Sequence, residues 1–350
     1  MEGQIVFKNQ IFSFRKFASI SLPKTLKWAE KAQLFVKEWL DGSESFLLHT
    51  SGSTGKPKSL AVSRSQMTAS ANATLQYLNI SQGSSALLCM NPDMIGGRMM
   101  LVRAMIGKWK LHVLPPSSEP ICSEPIDFAA MVPMQVEGLL KSSEGKEFIG
   151  RIKSLIIGGA QISESLKAQL SEINGAVYQT FGMTETVSHI ALRRINGEAP
   201  SDTYHVIGDN EIKADDQGLL SIKGTVTNKE WIHTNDLVQL TENGFKWLGR
   251  ADLVVNSGGV KIQIEALEKE LSDFFDAEIW VWKIPHESLG EQLIALSDNN
   301  DLIYRVNNEY DLLKREFKPY HFPKKWILVQ NWQLTPSGKP DRRATAAQNL

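Results

Sequence analysis

The run Leu48-His49-Thr50-Ser51-Gly52-Ser53-Thr54-Gly55-Lys56-Pro57-Lys58 gathers hydroxyls, glycines and two lysines directly after an apolar stretch that begins at Ser45. Residues of these types suit a polyphosphate. Glycines let the backbone turn so that several N–H groups converge on an anion, the hydroxyls add donors, and Lys56 and Lys58 supply charge. The Walker A arrangement is excluded, because it needs Gly-Lys-Ser/Thr running into a helix and here Pro57 follows Lys56. A loop of this composition taken alone is often a plain connector, so the other polar clusters decide its meaning. These are Gly158-Gly159-Ala160, the segment Gln179-Thr180-Phe181-Gly182-Met183-Thr184-Glu185, Thr234-Asn235-Asp236, Gly249-Arg250-Ala251-Asp252, and Leu334-Thr335-Pro336-Ser337-Gly338-Lys339. One glutamate such as Glu185 is enough for magnesium when phosphate oxygens complete the shell. An ammonium held between Gly338 and Pro340 in a turn-rich segment suits projection into a neighbouring cleft. Without context, a Thr-Glu pair is more often a helix cap and a turn lysine a solvated one.

The elements that must position these residues follow from hydrophobic rhythm. From residue 45 onward, short apolar runs alternate with longer helical patterns: Ser85 to Asn91 then Arg98 to Trp109, Asp127 to Val132 then Met134 to Lys141, Ile152 to Ile157 then Glu164 to Glu172. This rhythm predicts layered α/β structure on a parallel or mixed sheet. In open sheets of that kind ligands bind beyond the carboxyl ends of strands, where Thr50 to Lys58, Gly158 to Ala160 and Gly182 to Glu185 all fall. After residue 200 short strands dominate, with hairpin signals at Asp-Gln-Gly 216–218 and Glu-Asn-Gly 242–244. A final unit carries its own helix at Ile264 to Phe275, strands at Glu278 to Lys283 and Gln292 to Ser297, and a helix at Leu302 to Phe317.

At 350 residues the chain is long enough for two domains. A net charge of −1 leaves no global basic field to attract nucleic acid or an anionic membrane, so a small-molecule partner is expected. Cys89 and Cys122 are too few for a disulfide scaffold and are expected to pack as small apolar residues. Lys8, Arg15 and Lys16 interrupt the first twenty residues, leaving no signal-peptide core, and no run is long and apolar enough to span a bilayer. The expectation is a cytoplasmic protein; a homo-oligomer is compatible with it.

In order and spacing, the loop at Thr50 to Lys58, the Tyr178 to Glu185 segment, Gly249 to Asp252 and Leu334 to Lys339 resemble the signature set of the adenylate-forming superfamily, which includes acyl-CoA synthetases, peptide-synthetase adenylation domains and luciferases. The resemblance covers nearly everything from residue 45 to 343. It implies a large N-terminal layered α/β domain with a β-rich section, residues 1–251, binding ATP and the acid, and a small mobile α+β lid domain, residues 252–350. It also implies roles. Thr50, Ser51, Gly52, Ser53, Thr54, Gly55 and Lys58 hold the β and γ phosphates. Gly158, Gly159 and Ala160 lie against one face of adenine, with Gln179, Thr180, Phe181, Gly182 and Met183 closing the other; Phe181 stands where the family usually has Tyr. Thr184 meets the α-phosphate and Glu185 binds Mg²⁺. Asp236 accepts both ribose hydroxyls, as one carboxylate can, and Arg250 supports the ribose or phosphate. Asn235 replaces the usual Gly and is expected to keep a left-handed turn. Asp252 is the hinge, Gly258 and Gly259 leave room for pantetheine, and Lys261 meets CoA phosphates. Ile264 and Ala266 depart from the usual Pro and Glu.

The segments Phe181 to His189, Gly158 to Ala160 and Asp127 to Pro133 look like the o-succinylbenzoate–CoA ligases of menaquinone synthesis within that family. Such an acid carries a second carboxylate, and Arg98, at a helix start after Gly96-Gly97, is expected to read it with Ser188 or His189. The other readings are a different aryl- or acyl-CoA ligase, or a non-catalytic nucleotide-binding homologue. The resemblance assigns Lys339 the adenylation role, bridging the attacking carboxylate and the α-phosphate as charge develops. Losing such an electrostatic group costs about 10²–10³ in rate. Lys339→Ala is therefore expected to lose nearly all acid-dependent pyrophosphate exchange; exchange at the wild-type rate would remove the assignment.

Overall fold

The computed structural model describes residues 2–23, 25–50, 58–334 and 340–350, with backbone alone at 49, 50 and 58. The chain opens with β1 (Gln4–Phe7), β2 (Gln10–Ser13), α1 (Phe14–Phe17) and α2 (Lys27–Leu40). A separate two-stranded sheet follows, β3 (Ser45–Thr50) and β4 (Lys58–Ser63), paired antiparallel so that Thr50 lies opposite Lys58. The polyphosphate-type residues 51–57 fall between them and lie outside the described residues. Helix α3 (Arg64–Tyr77) leaves β4 through a capping box: Ser63 Oγ accepts from Gln66 N, and Gln66 Oε1 accepts from Ser63 N at 2.8 Å. Gln66 Nε2 then donates to Val226 O, tying the start of α3 to a distant turn.

The alternating part contributes β5 (Ser85–Leu88), α4 (Ile95–Ile106), β6 (Lys110–Val113), β7 (Phe128–Met131), α5 (Pro133–Leu140), α6 (Ser143–Arg151), β8 (Ser154–Ile157), α7 (Glu164–Leu170) and β9 (Ala176–Gly182). The remainder of the large sheet comes from β10 (His189–Arg194), β11 (Thr203–Val206), β12 (Glu211–Ala214), β13 (Leu219–Lys223), β14 (Ile232–Thr241) and β15 (Gly244–Arg250). Thirteen strands pair in the order β12-β13-β14-β15-β11-β10-β9-β8-β7-β5-β6-β1-β2. The strands from β9 to β1 in that order run parallel, and those from β10 to β12 are antiparallel to their neighbours. The layered α/β expectation holds, and the β-rich section proves continuous with the same sheet.

Strand periodicity sorts the core. Ala86, Leu88, Phe128, Ala130 and Ile156 face one cluster with residues of α2, α3 and α4, while Leu87, Ala129, Met131, Leu155 and Ile157 face another with residues of α5, α6 and α7. Both cysteines are buried and free. Trp109 is fully buried in the first cluster, its ring 5.4 Å from Phe128 and its indole N–H donating to Ser81 O.

Residues 254–350 build a second, smaller sheet. Its strands are β16 (Val254–Ser257), β17 (Val260–Gln263), β18 (Trp280–His286), β19 (Gly290–Ser297) and β20 (Lys325–Leu328), in the order β17-β16-β19-β18 with β20 parallel to β19. Helices α8 (Ile264–Phe275), α9 (Asn300–Leu313) and α10 (Arg342–Asn349) accompany it, and Ile262, Leu267, Leu271, Val281, Leu293, Val306 and Phe317 share a core of their own. The expected helix at 302–317 starts two residues earlier, where Asn299 Oδ1 caps Leu302 N, and it closes in a separate 3-10 turn at Lys314–Glu316. No helix among the described residues is long and apolar enough to cross a membrane. Trp109→Ala empties the centre of the first cluster and is expected to cost about 3–5 kcal/mol, read as a lower denaturation midpoint; an unchanged midpoint would contradict this packing.

Candidate active site

Sheet topology brings the β8 and β9 ends side by side, since Ile157 and Gln179 are register partners on parallel strands. Gly158 and Gly159 leave β8 as a bare backbone. A Cβ on Gly158 would lie 2.3 Å from Thr180 Oγ1, and Gly159 has φ +83°, so side chains are excluded from both for different reasons. Gly159 and Ala160 are exposed. Opposite them, Gln179 is buried and its Oε1 accepts two hydrogen bonds from Arg193, from Nε at 3.0 Å and from a terminal nitrogen at 2.6 Å. Phe181 packs edge-on against Phe245 and Tyr204, with ring centroids 4.9 and 5.7 Å away. Gly182 ends β9, Met183 follows, and Thr184 and Glu185 open a one-turn 3-10 helix with the Glu185 carboxylate exposed. Among the described residues no group of three or more His, Cys, Asp or Glu is placed to hold a metal. A magnesium ion arriving with phosphate oxygens requires only one protein carboxylate, and exposed Glu185 fits that requirement.

The chain then makes a strained reversal. Val187 has φ +66° and ψ −53°, and Ser188 N donates to Thr186 O at 2.7 Å, which together define a γ-turn of the rare positive-φ kind. A β-branched residue there is an outlier, held by full burial of Val187 and by the Thr186 hydroxyl, which is within hydrogen-bond distance of Met183 N, Met183 O and Ser188 O. The turn sends Ser188 and His189 inward. Ser188 Oγ lies 3.3 Å from His189 Nδ1, and His189 Nε2 lies 3.0 Å from Thr74 Oγ1 on α3. Burial and then the Arg103 charge hold the imidazole well below its ordinary pKa, so it is neutral at physiological pH.

Arg103 is the residue the sequence reading missed. It is 1% exposed, on α4, and donates to Ser188 Oγ at 3.1 Å and to Thr74 Oγ1 at 3.3 Å. Burial alone pushes its pKa down to about 9, with no carboxylate contributing. The available signal was an arginine inside the apolar run Met99 to Ile106. Arg98, expected to read a second carboxylate with Ser188 or His189, makes no contact with either among the described residues. Arg98 donates to Leu47 O at 2.7 Å, stacks 5.5 Å from the Phe35 ring and approaches Asp93 at 4.0 Å. Five positions along a helix amount to about 140° of rotation, so the two arginines leave α4 in different directions.

On the antiparallel side, Asp236 and Arg250 are register partners on β14 and β15. Asp236 is buried, with Oδ1 accepting from Trp247 Nε1 at 2.9 Å and its own N–H bonded to Thr234 Oγ1. Asn235 lies within β14 and has no positive φ, so the expected left-handed turn is absent and glycine's freedom is not needed there. Arg250 meets Asp252 in a two-point ion pair with both contacts at 2.9 Å. Burial raises the Asp252 pKa, but the hydrogen bond and charge of Arg250 outweigh it and hold the carboxyl below its ordinary value. The backbone of Arg250 is also clasped by residues beyond Asp252: Gln263 Nε2 donates to its carbonyl and Glu265 Oε2 accepts from its N–H. Gly258 and Gly259, both with positive φ, make the tight β16–β17 turn, and Lys261 is exposed on β17. Lys339 lies outside the described residues, as do Ser51 to Gly55; Thr50 and Lys58 are described in backbone only.

The AMP-binding enzyme family model matches residues 14–219. The crystal structure of an acyl-CoA synthetase (AMP-forming)/AMP-acid ligase II-like protein from Dyadobacter fermentans is 36% identical, covering 95% of this chain and 97% of that one with a TM-score of 0.66. A 2-succinylbenzoate–CoA ligase from Listeria monocytogenes is 25% identical over 93% of this chain and 74% of its own. The o-succinylbenzoate CoA synthetase of Bacillus subtilis, solved with its acyl-adenylate intermediate, shares the fold at a TM-score of 0.68, with 21% identity over 85% of this chain and 68% of its own. With bare glycines following β8, a Thr-Glu turn following the neighbouring β9, and a family model spanning more than half the sequence, the chain belongs to the AMP-binding enzymes.

Proposed function

We propose that this protein is an AMP-forming acid–CoA ligase whose acid is a dicarboxylate, o-succinylbenzoate, converted to o-succinylbenzoyl-CoA. The observation that carries the dicarboxylate is Arg103. A guanidinium removed from water with no carboxylate beside it is costly, and a protein that keeps one has a use for the charge. Its donors face Ser188, and neutral His189 adds a polar group without competing charge. A ligand carboxylate entering beside Ser188 would complete the ion pair that the polypeptide leaves open. The Listeria and Bacillus relatives named for this acid support the same reading.

In this reading residues 1–251 form the nucleotide- and acid-binding domain and residues 252–350 the lid. A carboxylate oxygen attacks the α-phosphorus of ATP, the bond to the β-phosphate oxygen breaks and pyrophosphate leaves. CoA thiol then attacks the acyl carbon, forming the thioester and releasing AMP. Gly158 to Ala160 and Phe181 flank adenine, Asp236 takes the ribose hydroxyls, Thr184 meets the α-phosphate and Lys339 neutralises charge in the first step. Glu185 would hold Mg²⁺, which screens the phosphate charge when bound. Rotation at Asp252 exchanges Lys339 for the Gly258–Lys261 turn, so one cleft serves both steps.

Purified protein given ATP, Mg²⁺, CoA and either o-succinylbenzoate or benzoate is expected to form thioester, seen by mass, only with the dicarboxylate. Thioester from benzoate alone would discard the substrate, and AMP release that depends on no added carboxylic acid would discard the ligase. Arg103→Met is expected to keep or raise the melting temperature, because an unpaired buried charge is removed. The same variant should raise KM for o-succinylbenzoate by at least about tenfold, the lower end for a hydrogen bond to a charged group. An unchanged KM would remove Arg103 from the acid pocket.

A further inference from the structure

Arg342 opens α10 three residues after Lys339. Its guanidinium meets both carboxylate oxygens of Glu268 on α8, each contact 2.7 Å, while lying 4.6 Å from the centroid of Trp280. Glu268 Oε1 also accepts from Val281 N at 2.8 Å, so α8, β18 and α10 converge on one carboxylate. The pair is withdrawn from solvent, with side chains 19% and 12% exposed for Arg342 and Glu268. A second set of contacts surrounds it. Asp341 N donates to Gln333 O at 2.8 Å, Gln333 N donates to Thr345 Oγ1 at 3.1 Å, and Asp341 Oδ1 caps α10 through Ala344 N. Leu334 and Pro340 form an isolated antiparallel bridge. Both flanks of the Thr335–Lys339 segment are thereby joined to each other and fastened to α8 and β18.

A withdrawn ion pair of this kind adds little net stability, since desolvation offsets the attraction. What it supplies is direction: a planar guanidinium fork on a carboxylate accepts one relative orientation, which a lysine or a neutral amide does not impose. We infer that Glu268 and Arg342 are positioning residues for the adenylation step, their fork fixing the start of α10, next in the chain to Pro340 and Lys339, against α8 and β18. The inference rests on the proposed role of Lys339. The half-reaction that uses Lys339 then depends on the fork, and the thioester-forming half-reaction does not.

Full-length Glu268→Gln, Arg342→Lys and Lys339→Ala are to be compared with wild type in two assays. One is acid-dependent ATP–pyrophosphate exchange with o-succinylbenzoate; the other is thioester formation from presynthesised o-succinylbenzoyl-adenylate and CoA. Glu268→Gln retains the acceptor for Val281 N, and Arg342→Lys retains the charge, so neither variant empties the site. Both are expected to lower kcat for exchange by roughly 10- to 100-fold, the scale of an ångström-level misplacement, with KM for ATP and the thioester step within about twofold of wild type. Wild-type exchange in both variants, or equal losses in the two half-reactions, would overturn the inference and leave the pair a structural brace. Wild-type exchange in Lys339→Ala would instead overturn the underlying role of Lys339, and the inference with it.

Discussion

A parallel strand covered by helices on both faces has no surface left for chemistry except its ends. Leu87 and Leu88, or Ile156 and Ile157, are buried on opposite sides of one sheet, so the polar residues of this chain collect where strands stop. Gly158 follows β8, Thr184 and Glu185 follow β9, and the β3–β4 pair brings Thr50 against Lys58. The double-sided core thus decides where a nucleotide and an acid can enter before any side chain there is considered.

Within that frame the decisive electrostatic feature is a charge, Arg103, without a counter-ion among the described residues. Arg103 reaches Ser188 and Thr74 from inside the core, and the same burial that pushes its pKa down makes it a strong partner for an anion that can shed its own water. The strained Val187 turn is consistent with this demand, because it delivers Ser188 and His189 to the guanidinium immediately after Glu185 leaves for solvent. Two other arginines are committed to carboxylates: Arg250 to Asp252 and Arg342 to Glu268. The contrast with unpaired Arg103 gives that residue its meaning.

The two sheets meet in sequence at Arg250 and Asp252, where the contacts divide between backbone and side chain. Gln263 and Glu265 hold the Arg250 peptide from both sides, while the side chain of Arg250 folds onto Asp252. The side-chain fork inside the smaller unit, by contrast, ties α8, β18 and α10 together.

Much was legible in the sequence because it depends on local periodicity and turn chemistry. The α/β alternation, the helix Ile264–Phe275, the hairpins at 216–218 and 242–244 and the bare Gly158-Gly159 at a strand end needed no distant partner to be recognised. Phase and distance defeated the rest. Arg98 and Arg103 lie on one helix, and only the packing of α4 against α2 and α3 determined which would meet Ser188. Asn235 reads as a turn residue, yet it falls inside β14, between His233, paired to β13, and Asp236, paired to β15, so long-range pairing on either side outweighs a local preference. Glu268 and Arg342 are 74 residues apart, and nothing in either neighbourhood names the other. The sequence alone determined which residues could do chemistry and which strands would end beside them. Only the tertiary structure decided which charges are paired, because pairing depends on what burial leaves within reach.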